Sequence, residues 1–375
     1  MKNKIPVNLF YLLIVFFVGH SVKAQVIINE YSASNISTLV DNHGEHEDWI
    51  ELYNAGSSAV NLQGYHLSDN YSKPDKWVFP NVSIAANDYL IVYCSSRDEY
   101  AGGYLHSNFK LTQTKGDVIL LTDASLNVVD STSLSITKEN HSRGRTTNGA
   151  VTWSLFINPT PGASNAGPKD GYTVRPSFSS APGFFPAPIT VTVSCADPNA
   201  TVYYTLDGHE PDASSAVYAG PITISNNVVL RAIAINSSNP ALEPSLIQSA
   251  SYFINTTHTV AVISIFGNSV ETLLNGTQIN ARTGLDYFDA SGSYKTSSDG
   301  TSNEHGNDSW AYDQRGIDFI SKDQYGYHYA LTDKLFRIKN RDEFQRIILK
   351  AAANDNYPFQ SGGAHIRDAY VHALS

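Results

Sequence analysis

The chain has 375 residues and a formal net charge of −10. Its Lys and Arg residues form no basic stripe, which excludes the electrostatic footprint of a nucleic-acid-binding protein. Only 16% of the residues are charged, whereas 25 are Gly and 22 are Tyr, a composition typical of β-sandwiches with exposed loops. Because the length exceeds what one core usually holds, we expect two or three domains.

Residues 1–24 are predicted to be a signal peptide. Lys2 and Lys4 precede an uncharged apolar run at 9–18, and Val22-Lys23-Ala24 offers a cleavage site before Gln25. The alternative is an uncleaved anchor, but this run is shorter than the roughly 20 residues that span a bilayer. We therefore expect a secreted or cell-envelope protein with no membrane span after cleavage.

Short strands are predicted about every ten residues from Val26 to about Ser135. The runs at 26–35 and 48–54 largely alternate apolar and polar residues, the period of a strand with one buried face. Within 48–54 both faces are partly apolar, so the pattern does not say which face is buried. Even strand spacing with turn residues between the strands indicates a sandwich.

Motifs in this part resemble the lamin-tail domain. The resemblance implies an immunoglobulin-like fold over 25–165 that serves in docking or spacing, without catalysis. The matching residues, in chain order, are Asn29-Glu30, Asp48-Trp49-Ile50-Glu51-Leu52-Tyr53-Asn54, Leu62-Gln63-Gly64-Tyr65-His66-Leu67-Ser68-Asp69, Gly116-Asp117-Val118-Ile119-Leu120, Ser142-Arg143-Gly144-Arg145, Trp153 and Pro159-Thr160-Pro161-Gly162-Ala163-Ser164-Asn165.

Residues 166–171 have the composition of a linker, and a second all-β unit follows at 172–256. Its alternating runs and its size fit one small sandwich. The unit resembles the chitobiase/β-hexosaminidase C-terminal module, an immunoglobulin-like accessory module found beside carbohydrate-active and surface domains. The matching residues are Pro182-Gly183-Phe184-Phe185, 200–208, Glu210-Pro211, 218–222 and 230–234.

The third region, 258–375, predicts a partial α+β domain. We expect strands at 260–265, 316–320 and 347–349, a short helical turn at 271–274 and a polar loop at 292–308. Residues 365–374 carry the apolar stripe of an amphipathic helix. No helix-ending residue or further chain follows that stripe, so we expect the region to be truncated.

This region resembles the N-terminal part of the CotH spore-coat kinase-like family. The matching residues are 262–265, 315–319, 344–356 and 366–371. The family's nucleotide and metal carboxylates lie further along than this chain reaches. The resemblance therefore implies that ATP and Mg²⁺ would be used only by an intact parent protein, and that no cofactor is expected for this chain.

Four acidic residues near the sandwich strands are candidate ligands for Ca²⁺, which prefers several carboxylate and carbonyl oxygens. The alternative is that they are edge carboxylates and that the loop at 41–48 is a solvated polar loop. The candidates are Glu30, Asp48, Glu51 and Asp69.

Other chemistry-bearing residues are assigned structural roles. His43, His46 and His305 lack the convergent partners of a metal site. Cys94 and Cys195 are predicted to be buried small hydrophobes rather than a disulfide. For the larger aromatics, core packing is favoured over a sugar-stacking face; these are Trp49, Trp77, Trp153, Tyr203 and Tyr204.

A phosphotransferase site is incomplete in this sequence. Lys334 or Lys350 is a candidate for the lysine on the phosphates, and 354–356 with Arg367-Asp368 is a polar cluster. No glycine-rich loop, general base and metal-binding Asp occur together with them. No catalytic residue is therefore predicted.

We expect an exported modular protein with a binding or scaffold role and no catalysis by this chain. Its partner would be an extracellular or cell-envelope protein or polysaccharide, with no role for nucleic acid. Two alternatives stay open: a CotH-like ATP-dependent protein phosphotransferase whose catalytic part lies beyond this chain, and a carbohydrate-binding surface protein.

Overall fold

A computed structural model describes residues 25–306, 315–336 and 340–350, and the prediction of a mostly β protein is confirmed. The predicted signal peptide and the predicted helix at 365–374 lie outside the described residues. Below, 25–165 is called the first unit, 172–256 the second unit and 258–350 the third unit. In the described part of the chain, no helix has the length and hydrophobicity required to cross a membrane.

The first unit is a sandwich of two sheets. A seven-stranded sheet has the order β13-β12-β1-β2-β7-β9-β8, a four-stranded sheet has the order β11-β10-β4-β5, and β3 pairs with β6. The strands are β1 (Val26–Ser32), β2 (Trp49–Asn54), β3 (Val60–Asn61), β4 (His66–Ser68), β5 (Trp77–Val78), β6 (Ser83–Ile84), β7 (Tyr89–Tyr93), β8 (Glu99–Ala101), β9 (Tyr104–His106), β10 (Val118–Thr122), β11 (Val128–Ser133), β12 (Ser142–Arg145) and β13 (Trp153–Phe156).

Alternate residues of facing strands form the core of this sandwich. Ile28 and Ile50 of the large sheet pack in one cluster with Leu67 and Ile119 of the small sheet, and all four are fully buried. On the opposite face of β2, Glu51 is also fully buried, because the segment 159–165 covers that side of the large sheet. Strand β2 is therefore buried on both faces.

The second unit contains a five-stranded sheet of order β16-β24-β22-β19-β20, and the pairs β14–β23, β15–β18 and β17–β21. Its core includes Val191, Leu230 and Tyr252. The strands are β14 (Gly171–Tyr172), β15 (Ser177–Phe178), β16 (Gly183–Phe185), β17 (Ile189–Val191), β18 (Val193–Ser194), β19 (Thr201–Thr205), β20 (Ala216–Val217), β21 (Ile222–Ile224), β22 (Val228–Ile235), β23 (Leu242–Glu243) and β24 (Gln248–Ile254).

The third unit is built on a five-stranded antiparallel sheet of order β25-β26-β27-β28-β31, with a separate pair β29–β30. The predicted short helical turn is present as α1 (Val270–Leu274), but a partial α+β domain is not confirmed by the described residues. The strands are β25 (Val262–Phe266), β26 (Ala281–Phe288), β27 (Tyr294–His305), β28 (Gly316–Ser321), β29 (Leu331–Thr332), β30 (Glu343–Phe344) and β31 (Arg346–Leu349).

The prediction of a polar loop at 292–308 is wrong, because most of it is the 12-residue strand β27. Its buried positions carry hydroxyl side chains that find partners inside the sheet; Ser302, for example, lies 2.8 Å from the Thr283 hydroxyl. At the strand's centre, a Cβ on Gly300 would lie 2.0 Å from the Ile320 carbonyl oxygen. Glycine is required there by the close approach of β28.

The segment predicted to be a linker, 166–171, is hydrogen-bonded to both units that it joins. Lys169 exchanges two backbone hydrogen bonds with Leu155, at 2.8 and 3.0 Å. The Asp170 N–H donates to the Ala241 carbonyl at 2.9 Å. Backbone pairing on both sides fixes the path of this segment.

Candidate functional site

Two of the predicted calcium ligands meet on the large sheet of the first unit. Glu30 of β1 lies opposite Glu51 of β2, and both are fully buried. Glu30 accepts hydrogen bonds from the Ser142 hydroxyl at 2.5 Å and from the Thr160 N–H and hydroxyl at 3.0 and 2.7 Å. The Gly162 N–H donates to Glu51 at 2.6 Å.

These contacts attach the segment 159–165 to the face of the sheet. Asn29 completes the attachment by donating to Glu51 at 2.9 Å and to the Asn165 side chain at 3.0 Å. Burial raises the pKa of both carboxyl groups, that of Glu51 to about 8. We call Asn29, Glu30, Glu51, Thr160 and Gly162 the glutamate clasp, and its contacts are those of a structural network.

The other two predicted ligands lie elsewhere. Asp48 is buried at the start of β2, where burial raises the pKa of its carboxyl group well above the usual range. Asp69 forms an ion pair with Lys76 at 2.6 Å. In residues 25–306, 315–336 and 340–350, no group of three or more His, Cys, Asp or Glu side chains is arranged to hold a metal ion. Calcium binding by these four residues stays a prediction.

The histidines and cysteines have ordinary surroundings. His43 pairs with Glu99 at 3.0 Å, and the ring of His46 contacts the Leu39 carbonyl at 3.1 Å. His305 ends β27. Cys94 is buried and Cys195 is half-buried, and both are free thiols.

The large aromatic residues do not form one exposed face. Trp49 and Trp77 are almost completely buried, so neither ring is available for stacking on a sugar. Trp153 is half-buried beneath the Arg145 guanidinium, 5.3 Å from the ring centroid. Tyr203 and Tyr204 are half-buried on β19.

Only some of the catalytic candidates of the third unit lie in the described residues. Lys334 is exposed and Lys350 ends the described part of the chain. The cluster at 354–356 and the pair Arg367-Asp368 lie outside the described residues.

The first and second units meet around Tyr172. Its hydroxyl accepts from the Lys138 N–H at 2.9 Å and lies 2.8 Å from His141 Nδ1. Burial lowers the pKa of His141 to about 4, so the neutral ring accepts the tyrosine proton. The Lys138 ammonium donates to the Pro244 carbonyl at 2.8 Å.

The first and third units meet around Asp323. Gln113 donates to the Asp323 carbonyl oxygen at 2.7 Å, and the Asp323 carboxylate accepts from the Thr114 N–H at 3.3 Å. The other end of the Gln113 amide accepts from the Thr137 N–H at 2.9 Å. Burial raises the pKa of Asp323 to about 6.

The second and third units meet around Asp286. Its Oδ2 accepts from the Ser251 N–H at 2.9 Å and from the Ser251 hydroxyl at 2.7 Å. Burial raises the pKa of Asp286 to about 7. Beside it, Phe288 packs edge-on against Phe184 and Phe253, with ring centroids 5.4 and 5.5 Å apart. This interface therefore combines a buried carboxyl with an aromatic cluster.

A cavity of about 190 Å³ lies where all three units meet. The charged side chains of its wall are Lys138, Glu139, Glu210, Arg231, Arg282 and Asp299. A second cavity of about 260 Å³ shares Ile247, Asp299 and Tyr327 with it. We call the first of these the junction cavity.

Sequence reasoning missed the junction cavity. Lys138, Arg231 and Asp299 lie in three different units, and Lys138 and Asp299 are unremarkable in their local sequences. A charged residue inside an apolar strand run, such as Arg231 in Leu230-Arg231-Ala232-Ile233-Ala234, is the one signal that was present, because arginine is rarely fully buried unless it is paired.

Stability is expected to fall as pH rises through the range in which Glu51 titrates. Folding raises its pKa from about 4.5 to about 8, so the folded state binds the proton more tightly. This contribution is complete below pH 4.5 and is lost as pH rises towards 8. Thermal unfolding between pH 5 and 9 should show it, with a shallower dependence in Glu51→Gln. An equal slope in both proteins would contradict the assignment to Glu51.

Two family models match this chain. The model described as Lamin Tail Domain matches residues 20–135, and the model described as Chitobiase/beta-hexosaminidase C-terminal domain matches residues 180–245. A search of curated proteins finds no match. The two matches confirm immunoglobulin-like domains in the first and second units, and domains of these kinds indicate a binding or scaffold role.

Proposed function

We propose that the chain is an exported scaffold that holds β units in a fixed arrangement for binding an extracellular or cell-envelope protein or polysaccharide. The observation that supports this proposal is that each unit contacts both others through buried polar groups. Tyr172, Asp323 and Asp286 each serve one of the three interfaces. Hydrogen bonds to buried groups are costly to break without replacement, so the three contacts together favour one rigid body.

The proposed domain boundaries follow the sequence analysis. They are a signal peptide at 1–24, a lamin-tail-like domain at 25–165, a linker at 166–171, a chitobiase C-terminal-like module at 172–256 and a CotH-like segment at 258–375. In this division the linker is short and hydrogen-bonded on both sides, which suits a spacer of fixed geometry.

Limited proteolysis of the full chain tests the fixed arrangement. We expect the connection at 166–171 to resist cleavage under native conditions, because its backbone is hydrogen-bonded to both units that it joins. Early cleavage at 166–171, with release of separate stable fragments, would contradict the proposal. Mass spectrometry of the fragments identifies the cut sites.

Export is a separate part of the proposal and has its own test. When the full chain is expressed in a bacterial host, the product outside the cytoplasm is expected to begin at Gln25. Retention of residues 1–24 on a cytoplasmic product would contradict export. Replacing the uncharged run at 9–18 with polar residues is the matched control and should abolish processing.

The alternative enzymatic function rests on the CotH resemblance of the third unit. In its described part, the matching motif at 315–319 begins β28, where Asp318 forms two hydrogen bonds with Arg346 of β31. A matched carboxylate that holds two strands together supports a structural role for this segment. Incubating the full chain with ATP and Mg²⁺ tests the alternative: no turnover is expected, and phosphate transfer would overturn the scaffold proposal.

Carbohydrate binding by the second unit is the remaining alternative. The half-buried pair Tyr203 and Tyr204 leaves part of each ring accessible on β19. Retention of the full chain on chitin, cellulose or peptidoglycan, and its loss in a variant with Tyr203→Ala and Tyr204→Ala, would favour a polysaccharide partner. Absence of retention would leave a protein as the expected partner.

A further inference from the structure

The junction cavity carries a balanced set of charges of which only part is paired. Of its three basic and three acidic side chains, Arg282 pairs with Glu210 at 3.2 Å and with Glu139 at 3.5 Å. Arg231, which is almost completely buried, lies 3.6 Å from the same Glu210 carboxylate. Two basic and two acidic groups therefore satisfy one another within the wall.

One ammonium group and one carboxyl group of the wall form no ion pair with the described residues. Within the described chain, Lys138 has no carboxylate within 4.0 Å, and its ammonium makes one hydrogen bond, to the Pro244 carbonyl. The Asp299 carboxyl group makes no ion pair or hydrogen bond with any other described residue. Burial lowers the pKa of Lys138 to about 8, against the opposing effect of the Glu243 carboxylate. Burial also raises the pKa of Asp299, although the Arg231 guanidinium acts in the opposite direction.

The remaining wall of the cavity is mostly apolar and aromatic, and it also includes the Gln324 side chain. Ile233, Leu246 and Ile247 contribute aliphatic surface, and Arg282 lies over the ring of Tyr325 at 4.7 Å. A volume of about 190 Å³ is well below that of sites for drug-sized ligands, which is about 300–1,000 Å³. The cavity therefore suits a small ligand with an apolar part and opposite charges.

We propose that the junction cavity binds a small zwitterion, an amino acid or short peptide with free ends and an apolar side chain. The ligand carboxylate would accept hydrogen bonds from Lys138, and its ammonium group would donate to Asp299. Each pairing would give a direct charged partner to a buried group that forms no ion pair with the described residues. This inference rests on the proposed function, because the cavity exists only when the three units are packed together.

Isothermal titration of the full chain with L-leucine, leucyl-leucine and trileucine tests the proposal. We expect saturable binding of at least one of them, and the length that binds best reports the span between the two charged groups. Lys138→Met and Asp299→Asn should each weaken that binding at least about 10-fold, because each loses a charge-assisted hydrogen bond. Lys110→Met, at an exposed lysine paired with Glu47 at 2.9 Å, is the matched control and should bind normally.

N-acetyl-leucinamide and glucose serve as uncharged probes. Equal binding of either one, unchanged affinity in both cavity variants, or no binding of any zwitterion would overturn the proposal. X-ray scattering of the same samples shows whether a failure to bind concerns the ligand alone or also the arrangement of the three units. Compact chains that bind no zwitterion would contradict the ligand inference alone, whereas chains with independently moving units would contradict the proposed function as well.

Discussion

Replacing Glu30 with alanine is expected to lower the free energy of unfolding of the first unit by about 3 kcal/mol. The substitution removes the acceptor for the Ser142 hydroxyl and for the Thr160 N–H and hydroxyl, which the structure buries against the sheet. The segment 159–165 then loses its attachment and exposes the second face of β2. Thermal and denaturant unfolding of the full chain measure the loss.

Two matched variants serve as controls for this prediction. Glu45→Ala removes an exposed carboxylate from the loop of the same unit and should change stability by less than about 0.5 kcal/mol. Glu30→Gln keeps one acceptor oxygen and should give an intermediate loss. If Glu30→Ala unfolds like the unmodified chain, the glutamate clasp does not hold the segment 159–165. Calcium binding by these carboxylates would then be the hypothesis to test.

Replacing Asp286 with alanine is expected to release the third unit from the second. The Ser251 N–H and hydroxyl both contact this carboxyl group. The N–H would be left buried without an acceptor, at a cost of about 1–3 kcal/mol, whereas the hydroxyl keeps the Ser264 hydroxyl as a partner at 2.8 Å. An interface between domains within a chain is often modest in size, so a loss of this magnitude is expected to open it. Hydrogen exchange of the Ser251 amide, which donates to Asp286, should accelerate by at least about 10-fold.

Asp286→Asn is the informative control because its amide oxygen can accept the same two hydrogen bonds. We expect it to keep the Ser251 amide protected from hydrogen exchange, as should Asp342→Ala, which removes an exposed carboxylate of the same unit. Equal protection of Asp286→Ala and the unmodified chain would show that the aromatic cluster around Phe288 holds the interface without the carboxyl group.

The strands of the first unit were the most predictable part of the fold. Alternation at 26–35 and 48–54 predicted β1 and β2 because a half-buried strand repeats every two residues. The same rule left open which face of β2 is buried, and the structure buries both. The second face of β2 is covered by the segment 159–165, which lies more than a hundred positions further along the chain. No local sequence pattern predicts this contact.

The sequence of strand β27 is polar, as the sequence analysis found, but polarity alone led to the wrong prediction of a loop. Its sequence is almost free of large apolar residues, so it reads as a loop, yet it is the centre of a five-stranded sheet. Hydroxyl side chains such as Thr283 and Ser302 satisfy one another there, and tertiary pairing overrides the polarity signal. Predicting this strand requires knowing that β26 and β28 lie on either side.

The roles of the candidate functional residues also depend on parts of the chain that are distant in sequence. Glu30 and Glu51 were predicted to be calcium ligands, which stays a prediction, whereas their observed hydrogen bonds depend on donors of a distant segment. Lys138 and Asp299 gave no signal at all, because their relation exists only after the three units pack. Long-range packing determines the surroundings of both pairs of residues. The junction cavity therefore could not be predicted from residue spacing in the sequence alone.

Small-angle X-ray scattering of the full chain shows whether the three units keep one arrangement in solution. We expect the scattering to fit one fixed arrangement of the three units over residues 25–350, unchanged between low and high salt, because the interfaces are buried and weakly screened. A curve that requires an ensemble of extended conformers, with units moving independently about 166–171 and 255–261, would contradict it.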